Sequence, residues 1–261
     1  MKLLTIARDL HRRRGRERTG LFLAEGVRTV EELLSSSIGI RGVLVAPALA
    51  VTERGAELGQ RLMAAALSGG MELVQVTDSE LASAADTDSP QGVVAIAAQP
   101  ERSFDAVVDL IVAGGRMRIV TLDGVQDPGN VGTILRTAEA FGVSATVALG
   151  GTADLWNPKV IRSAMGALFR QHALAASTDD FLAFCRANEV AIWTTGADGE
   201  PLALGAGAPE RLAIVVGNEG NGVSAALRAA ANRTVAIPIT GVESLNVAVA
   251  TGILLYTLSR K

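Results

Sequence analysis

The strongest constraint on this chain is an alternation that recurs along its length. Short runs of Val, Ile, Leu and Ala close on glycine, proline or a polar residue, and stretches of helical spacing separate them. Apolar runs of roughly four to eight residues fit buried strands, and strands alternating with helices pack as a sheet covered by helices. The runs are Phe22 to Gly26, Gly42 to Ala46, Leu73 to Val76 and Gly92 to Ala98, then Arg118 to Leu122, Ala145 to Leu149, Val190 to Thr194, Leu212 to Val216 and Thr234 to Ile237. Between them Val27 to Leu34 and Glu53 to Leu67 read as amphipathic helices, and Asp78 to Ala84 as a helix opening on an acidic cap. The core must be aliphatic, because six Phe, two Trp and one Tyr are all the aromatics among 261 residues. The fold class that follows is α/β.

Gln99-Pro100-Glu101-Arg102-Ser103 is the first polar, proline-bearing stretch, and Ala113-Gly114-Gly115-Arg116 closes a short amphipathic segment after it. These signals predict a small α/β domain over 1–99, a linker over 100–115 and a second domain over 116–261 with a mainly parallel sheet. Cys185 is the only cysteine, so no intramolecular disulfide forms and no thiol cluster offers a metal site; none is expected. The N-terminus places an apolar patch before its basic residues, the reverse of a secretory signal, and no apolar stretch reaches spanning length. A cytoplasmic protein without membrane contact is expected. The net charge of −3 argues against coating nucleic acid through the overall field. Locally, Lys2, Arg8, Arg12, Arg13, Arg14, Arg16 and Arg18 crowd against only Asp9 and Glu17, a cluster suited to phosphate or to a solvated basic helix face.

Ligands of open parallel sheets collect where strands end at their carboxyl side, and three loops stand at such positions. In LDGVQDPGNVGTILRTAEAFG, a strand runs into Asp123 and a turn at Asp127-Pro128-Gly129; Asn130 then reads as a helix cap, with Arg136 further along the helix. In IVVGNEGNGVS, Gly217, Gly220 and Gly222 surround Asn218, Glu219 and Asn221 and expose main-chain amides. Their GxxGxG spacing is not the GxGxxG of a dinucleotide site, which sets aside a nucleotide-dependent oxidoreductase. In IPITGVESLNVAVATGILLY, a loop through Glu243 leads to a cap at Ser244 and a helix apolar on nearly every side. Such a helix is expected to be buried, in the core or against a second subunit. A fourth element, DLWNPKVIRSAMGALFR, sets Lys159 and Arg162 near a helix start, where phosphate binding and a capped surface helix anchored by Trp156 are equally compatible.

Taken in order, DPGNVGTILRTAEAFG, VVGNEGNGVS and IPITGVESLNVAVATGILLY resemble the three motifs of the SpoU, or TrmH, branch of the SPOUT RNA methyltransferases. FLAEGVRTVEELL and the pattern ending at GVVAIAA resemble the family's substrate-binding domain. The resemblance implies transfer of a methyl group from S-adenosylmethionine to a ribose 2′-hydroxyl of RNA by a homodimer whose catalytic domain holds a trefoil knot. Carried over by motif, Asn130, Arg136, Glu219, Ser244 and Asn246 are the catalytic polar residues. Val216, Gly217, Asn218, Gly220, Ile237, Ile239, Leu245 and Asn246 line the cofactor site, and Arg12, Arg13, Arg14, Arg16, Lys159 and Arg162 meet RNA. Family proposals make Arg136 a general base, whereas the high pKa of a guanidinium favours positioning of phosphate or oxyanion stabilisation. His172 stands where a proline-containing continuation is expected, and neither His11 nor His172 falls in a motif. The separate N-terminal domain suits ribosomal RNA over a tRNA-modifying relative. A self-protecting rRNA methyltransferase would read almost identically, and a silent RNA-binding assembly factor is opposed by the intact motifs.

Overall fold

A computed structural model describes residues 2–112, 116–203 and 207–259; Ala113, Gly114 and Gly115 of the expected linker lie outside the described residues. The chain divides into two compact units, Met1–Glu101 with Trp156–Arg170, and Arg102–Leu155 with Gln171–Lys261.

The first unit opens with α1 (Lys2–Leu10) and α2 (Arg13–Thr19). These precede β1 (Leu21–Glu25), α3 (Val27–Leu34), β2 (Ile40–Val45), a 3-10 turn (Pro47–Val51), α4 (Glu53–Leu67), β3 (Glu72–Gln75), α5 (Asp78–Ala82) and β4 (Val93–Ala98). The sheet order is β1-β4-β2-β3, antiparallel except between β2 and β3. Leu3, Ala7 and Leu10 recur at helical spacing on α1, and this stripe is buried with Leu21, Leu23, Val94 and Ile96 of the sheet. Thr77, not an acidic residue, caps α5: its hydroxyl accepts from the Glu80 amide, and the Glu80 carboxylate accepts from the Thr77 amide.

The second unit begins with α6 (Phe104–Val112), inside the stretch read as a linker. Its Val107 is buried and its Phe104 stacks on Phe184 at 4.5 Å between centroids. Next come β5 (Met117–Asp123), α7 (Pro128–Ala140) and β6 (Ala145–Ala148), after which α8 (Pro158–Ala164) and α9 (Ala167–Arg170) belong to the first unit. The second unit resumes with β7 (His172–Ala175), α10 (Thr178–Ala187), β8 (Ala191–Pro201), β9 (Arg211–Gly217), α11 (Ala225–Ala230), β10 (Arg233–Ala236) and α12 (Val247–Ser259). Its six strands lie in the order β10-β8-β9-β5-β6-β7 with every neighbouring pair parallel. The mainly parallel α/β reading therefore holds, with β7 as the strand that the pattern of runs omitted.

Aromatic stacking fastens the α8–α9 segment within the first unit. The fully buried ring of Phe22 on β1 lies 4.6 Å from Trp156 and 5.8 Å from Phe169. Arg162 donates to Asp86 at 2.6 Å and stands 3.9 Å from the buried Glu25, while Arg170 pairs with Glu32. Gly166 has φ of +86°, and a Cβ there would stand 2.7 Å from that of Glu32, so both the turn and the close approach require glycine.

Candidate active site

The three loops singled out by their composition meet in the second unit. A cavity of 920 Å³ opens where β8, β9 and β10 end, lined by residues from 195–201, 216–222 and 235–247 and closed on one side by α12. Its size falls within the roughly 300–1,000 Å³ of small-molecule sites, and its position obeys the strand-end rule for parallel sheets. Every residue expected to line a cofactor site, Val216, Gly217, Asn218, Gly220, Ile237, Ile239, Leu245 and Asn246, borders it, as do Glu219 and Ser244.

A chain of side-chain hydrogen bonds joins the loops. The Glu219 carboxylate accepts from Asn130 Nδ2 at 2.9 Å and from the amides of Gln126 and Asp127 at 3.2 and 3.4 Å. Asn130 Oδ1 accepts in turn from Asn246 Nδ2 at 2.9 Å, and Asn246 Oδ1 accepts from the amides of Ala248 and Val249. Each asparagine thus has its amide orientation fixed by opposed partners and keeps one Nδ2 hydrogen outside this chain. Asn218 ties the same loops from beneath: its Nδ2 donates to Gly124 O at 2.8 Å and its Oδ1 accepts from the Gly220 and Asn221 amides. The turn before α7 is also latched by Thr152, whose hydroxyl accepts from the Gly124 amide and donates to Leu122 O.

Burial alone would raise the Glu219 carboxyl, but the hydrogen bonds from the Asn130 side chain and from the loop amides outweigh it and hold the group below its usual range. Stabilisation from a lowered carboxyl is fully present above its unfolded pKa and is lost as pH falls through the native one. The stability difference between wild type and Glu219→Gln is therefore expected to be constant between about pH 6 and 8 and to shrink only below about pH 4.5. Thermal melting of both proteins across that range tests this; a difference already shrinking from pH 8 to 6 would refute it.

Several local readings are corrected. Asp127, not Asn130, caps α7, accepting from the Asn130 amide at 2.9 Å, because Pro128 occupies the first helical position. Asn246, not Ser244, caps α12, which releases the Ser244 side chain from that duty. Within one chain helix α12 buries Ala248, Thr251, Leu254, Leu255 and Leu258, so the core takes one face of it; Val249, Ile253 and Tyr256 are 52, 38 and 43 % exposed, and the Tyr256 ring meets the exposed Phe141 edge-on at 6.4 Å. Arg136 lies on the exposed face of α7, outside the cavity lining, with no hydrogen bond or ion pair among the described residues. Arg12, Arg13 and Arg14 are exposed in the first unit, as is Lys159. Arg16, expected on the same basic face, is instead 2 % exposed and donates to Leu10 O and His11 O, so it braces α1 against α2. Arg162 is engaged by Asp86 and Glu25, which leaves it a fastening residue of the first unit. His172 bonds to Ser103 O and takes no part in the cavity. Thr195, Gly196 and Arg228 border the cavity without having been anticipated; the glycines and aspartate at 196–199, just after the Val190 to Thr194 run, were the available signal for the first two.

Fold and cavity together define an α/β protein with a small-molecule-sized cavity at the carboxyl ends of parallel strands. The chain belongs to the SpoU rRNA methylase family, which matches residues 117–256, and residues 5–95 match the MRM3-like substrate binding domain. It is 33% identical over 259 residues to the 23S rRNA (guanosine(2553)-2′-O)-methyltransferase RlmP of Bacillus subtilis, covering 96% of this chain and 93% of that protein. An AdoMet-bound rRNA methyltransferase from Sinorhizobium meliloti has a TM-score of 0.79 at 30% identity, over 98% of this chain and 93% of that one. The SpoU methyltransferase AviRb from Streptomyces viridochromogenes, in complex with AdoMet, has a TM-score of 0.85 at 25% identity, over 99% and 97%.

Proposed function

We propose that this chain transfers the methyl group of S-adenosylmethionine to a ribose 2′-hydroxyl of 23S-type ribosomal RNA. The observation that carries this is the hydrogen-bonded chain Glu219–Asn130–Asn246 at the border of the strand-end cavity. Residues 216–222 and 235–239 border the cavity and are the segments that meet the adenine and ribose; the amides of Asn218, Gly220, Asn221 and Gly222 are taken up inside their own loop, so they shape the wall and do not donate to the ligand. When bound, the cofactor supplies an electrophilic methyl on a positively charged sulfur.

The protein's part is alignment and charge. Glu219 accepts three hydrogen bonds and stays ionised, so it is a poor proton acceptor and acts by holding the turn before α7 against the glycine loop. The remaining Nδ2 hydrogens of Asn130 and Asn246, with the Ser244 hydroxyl, are the groups that fix the acceptor ribose. Arg136 meets RNA phosphate or the oxyanion that develops as the hydroxyl loses its proton. In the first unit, Arg12, Arg13, Arg14 and Lys159 provide cationic contacts to RNA.

The same reading includes a homodimer: Val249, Ile253, Tyr256 and Phe141 form an apolar patch suited to a second copy. It also includes the knotted path that family membership implies. A ribosomal substrate sets the working compartment as the cytoplasm, and among the described residues no helix is long and apolar enough to cross a membrane. The rRNA acceptor is preferred to tRNA because relatives matched along nearly the full length of the chain include two 23S rRNA enzymes. Incubation with large-subunit RNA, tRNA and methyl-labelled S-adenosylmethionine, followed by mapping of the label, tests the proposal. Label on a ribose of 23S-type rRNA is the expected result; transfer to tRNA alone, or to neither, overturns it.

A further inference from the structure

Among the described residues, Arg228 is the only lysine, arginine or histidine that borders the cavity. It sits in the last turn of α11, where Nε donates to Val223 O at 3.3 Å and Nη1 donates to both oxygens of Asp198 at 3.2 and 3.1 Å. Nη2 has no hydrogen bond among the described residues. That nitrogen lies between two glycines of the cavity wall, 2.9 Å from where a Cβ of Gly196 would stand and 3.9 Å from that of Gly222. A side chain at 196 would displace the guanidinium, so glycine there keeps Nη2 at the wall. The Asp198 carboxylate is 72 % exposed, which makes the ion pair a weak surface one that orients the guanidinium without neutralising it in a dry interior.

The reading that the cavity takes S-adenosylmethionine supplies the complementary chemistry. That molecule has a single anionic group, the α-carboxylate of its methionine half, alongside a cationic sulfonium and an ammonium. The carboxylates bordering the cavity are Glu219 and Glu243, so the wall offers the ligand's carboxylate one formal positive charge. We propose that Arg228 is a specificity-determining residue that receives this α-carboxylate through Nη2, while Asp198 holds Nη1. Recognition of the amino-acid half is thereby separated from recognition of the nucleoside half, which rests on residues 216–222 and 235–239 of the cavity wall.

The two halves can be titrated independently. S-Adenosylhomocysteine carries the carboxylate, and 5′-methylthioadenosine keeps the nucleoside and sulfur but lacks the amino-acid portion. Isothermal titration of the full chain is expected to show Arg228→Gln weakening S-adenosylhomocysteine by roughly 10- to 100-fold, the range of a charge-assisted hydrogen bond. Binding of 5′-methylthioadenosine is expected to stay within about 2-fold of wild type, which also reports that the cavity remains folded. Arg228→Lys should fall between, and Asp198→Asn should weaken S-adenosylhomocysteine by less than Arg228→Gln does. Equal losses for both ligands would reassign Arg228 to holding the loop, and no loss for either would remove it from recognition; both results overturn the proposal. If the wild-type chain binds neither ligand, the cofactor reading itself fails and this assignment falls with it.

Discussion

Arg136→Ala is expected to bind S-adenosylmethionine as the wild type does and to transfer methyl at least about 100-fold more slowly, the scale on which loss of one transition-state donor is felt. Its side chain is exposed, makes no hydrogen bond or ion pair among the described residues and is absent from the cavity wall, so neither stability nor cofactor affinity depends on it. What remains is an exposed cation on the helix that begins at the Asp127-Pro128 turn, and a guanidinium is a poor base at neutral pH. Arg136→Lys separates the two roles left to it. A lysine restores much of the rate if only charge is needed and little if a planar, two-pronged contact to phosphate is made. Single-turnover transfer to rRNA, with calorimetry for the cofactor, decides between them; unchanged transfer by Arg136→Ala, or lost cofactor binding, would remove the residue from catalysis.

Gly217→Ala is expected to reduce cofactor affinity by at least about 100-fold and to destabilise the protein by roughly 1–3 kcal/mol, through overpacking against groups that cannot rotate away. A Cβ at that position would stand 2.2 Å from the Gly222 carbonyl carbon and 2.3 Å from the Val223 nitrogen. Both belong to the loop that Asn218 and Gly222 close with reciprocal amide–carbonyl bonds of 3.0 and 2.9 Å. The loop must open to admit a methyl group, and the cavity wall that it forms then moves. Gly220→Ala is the control: a Cβ there meets only Asn218 Oδ1 at 3.6 Å, so stability should change by less than about 0.5 kcal/mol. Denaturant unfolding and cofactor titration of both variants test the contrast, which fails if Gly217→Ala binds as the wild type does.

The sheet and the three ligand loops were legible because both depend on local pattern: apolar runs make strands, and glycine or Asx residues after them make strand-end loops. Strand β7 was missed because its four residues, His172 to Ala175, include no β-branched residue and follow almost directly on the short helix α9. The caps were misplaced by a different failure. Asp127 and Asn130 are both good caps in isolation, and only the fixed φ of Pro128 decides between them. Nor could periodicity reveal that α12 leaves a face open, since a uniformly apolar helix has no polar side to orient it. Arg228, set among alanines in AALRAA, has no local signature; its meaning arises from Gly196 and Asp198, about thirty residues earlier, at the bordering loop. The buried Arg16 and the ion-paired Arg162 show the complementary limit, that a basic residue next to others says nothing about which one faces water.

The stacking of Trp156 and Phe169 on Phe22 constrains how such a chain can be divided. The polypeptide leaves the six-stranded sheet after β6, completes the first unit and returns as β7, so neither unit is a single uninterrupted stretch. A fragment starting at residue 116 would carry two aromatic rings without the ring they cover, and one ending at residue 99 would expose Phe22. Keeping Phe22 covered therefore takes two pieces of chain at once, the N-terminal hundred residues and the 156–170 segment, even though that segment lies within the stretch matched by the methylase family.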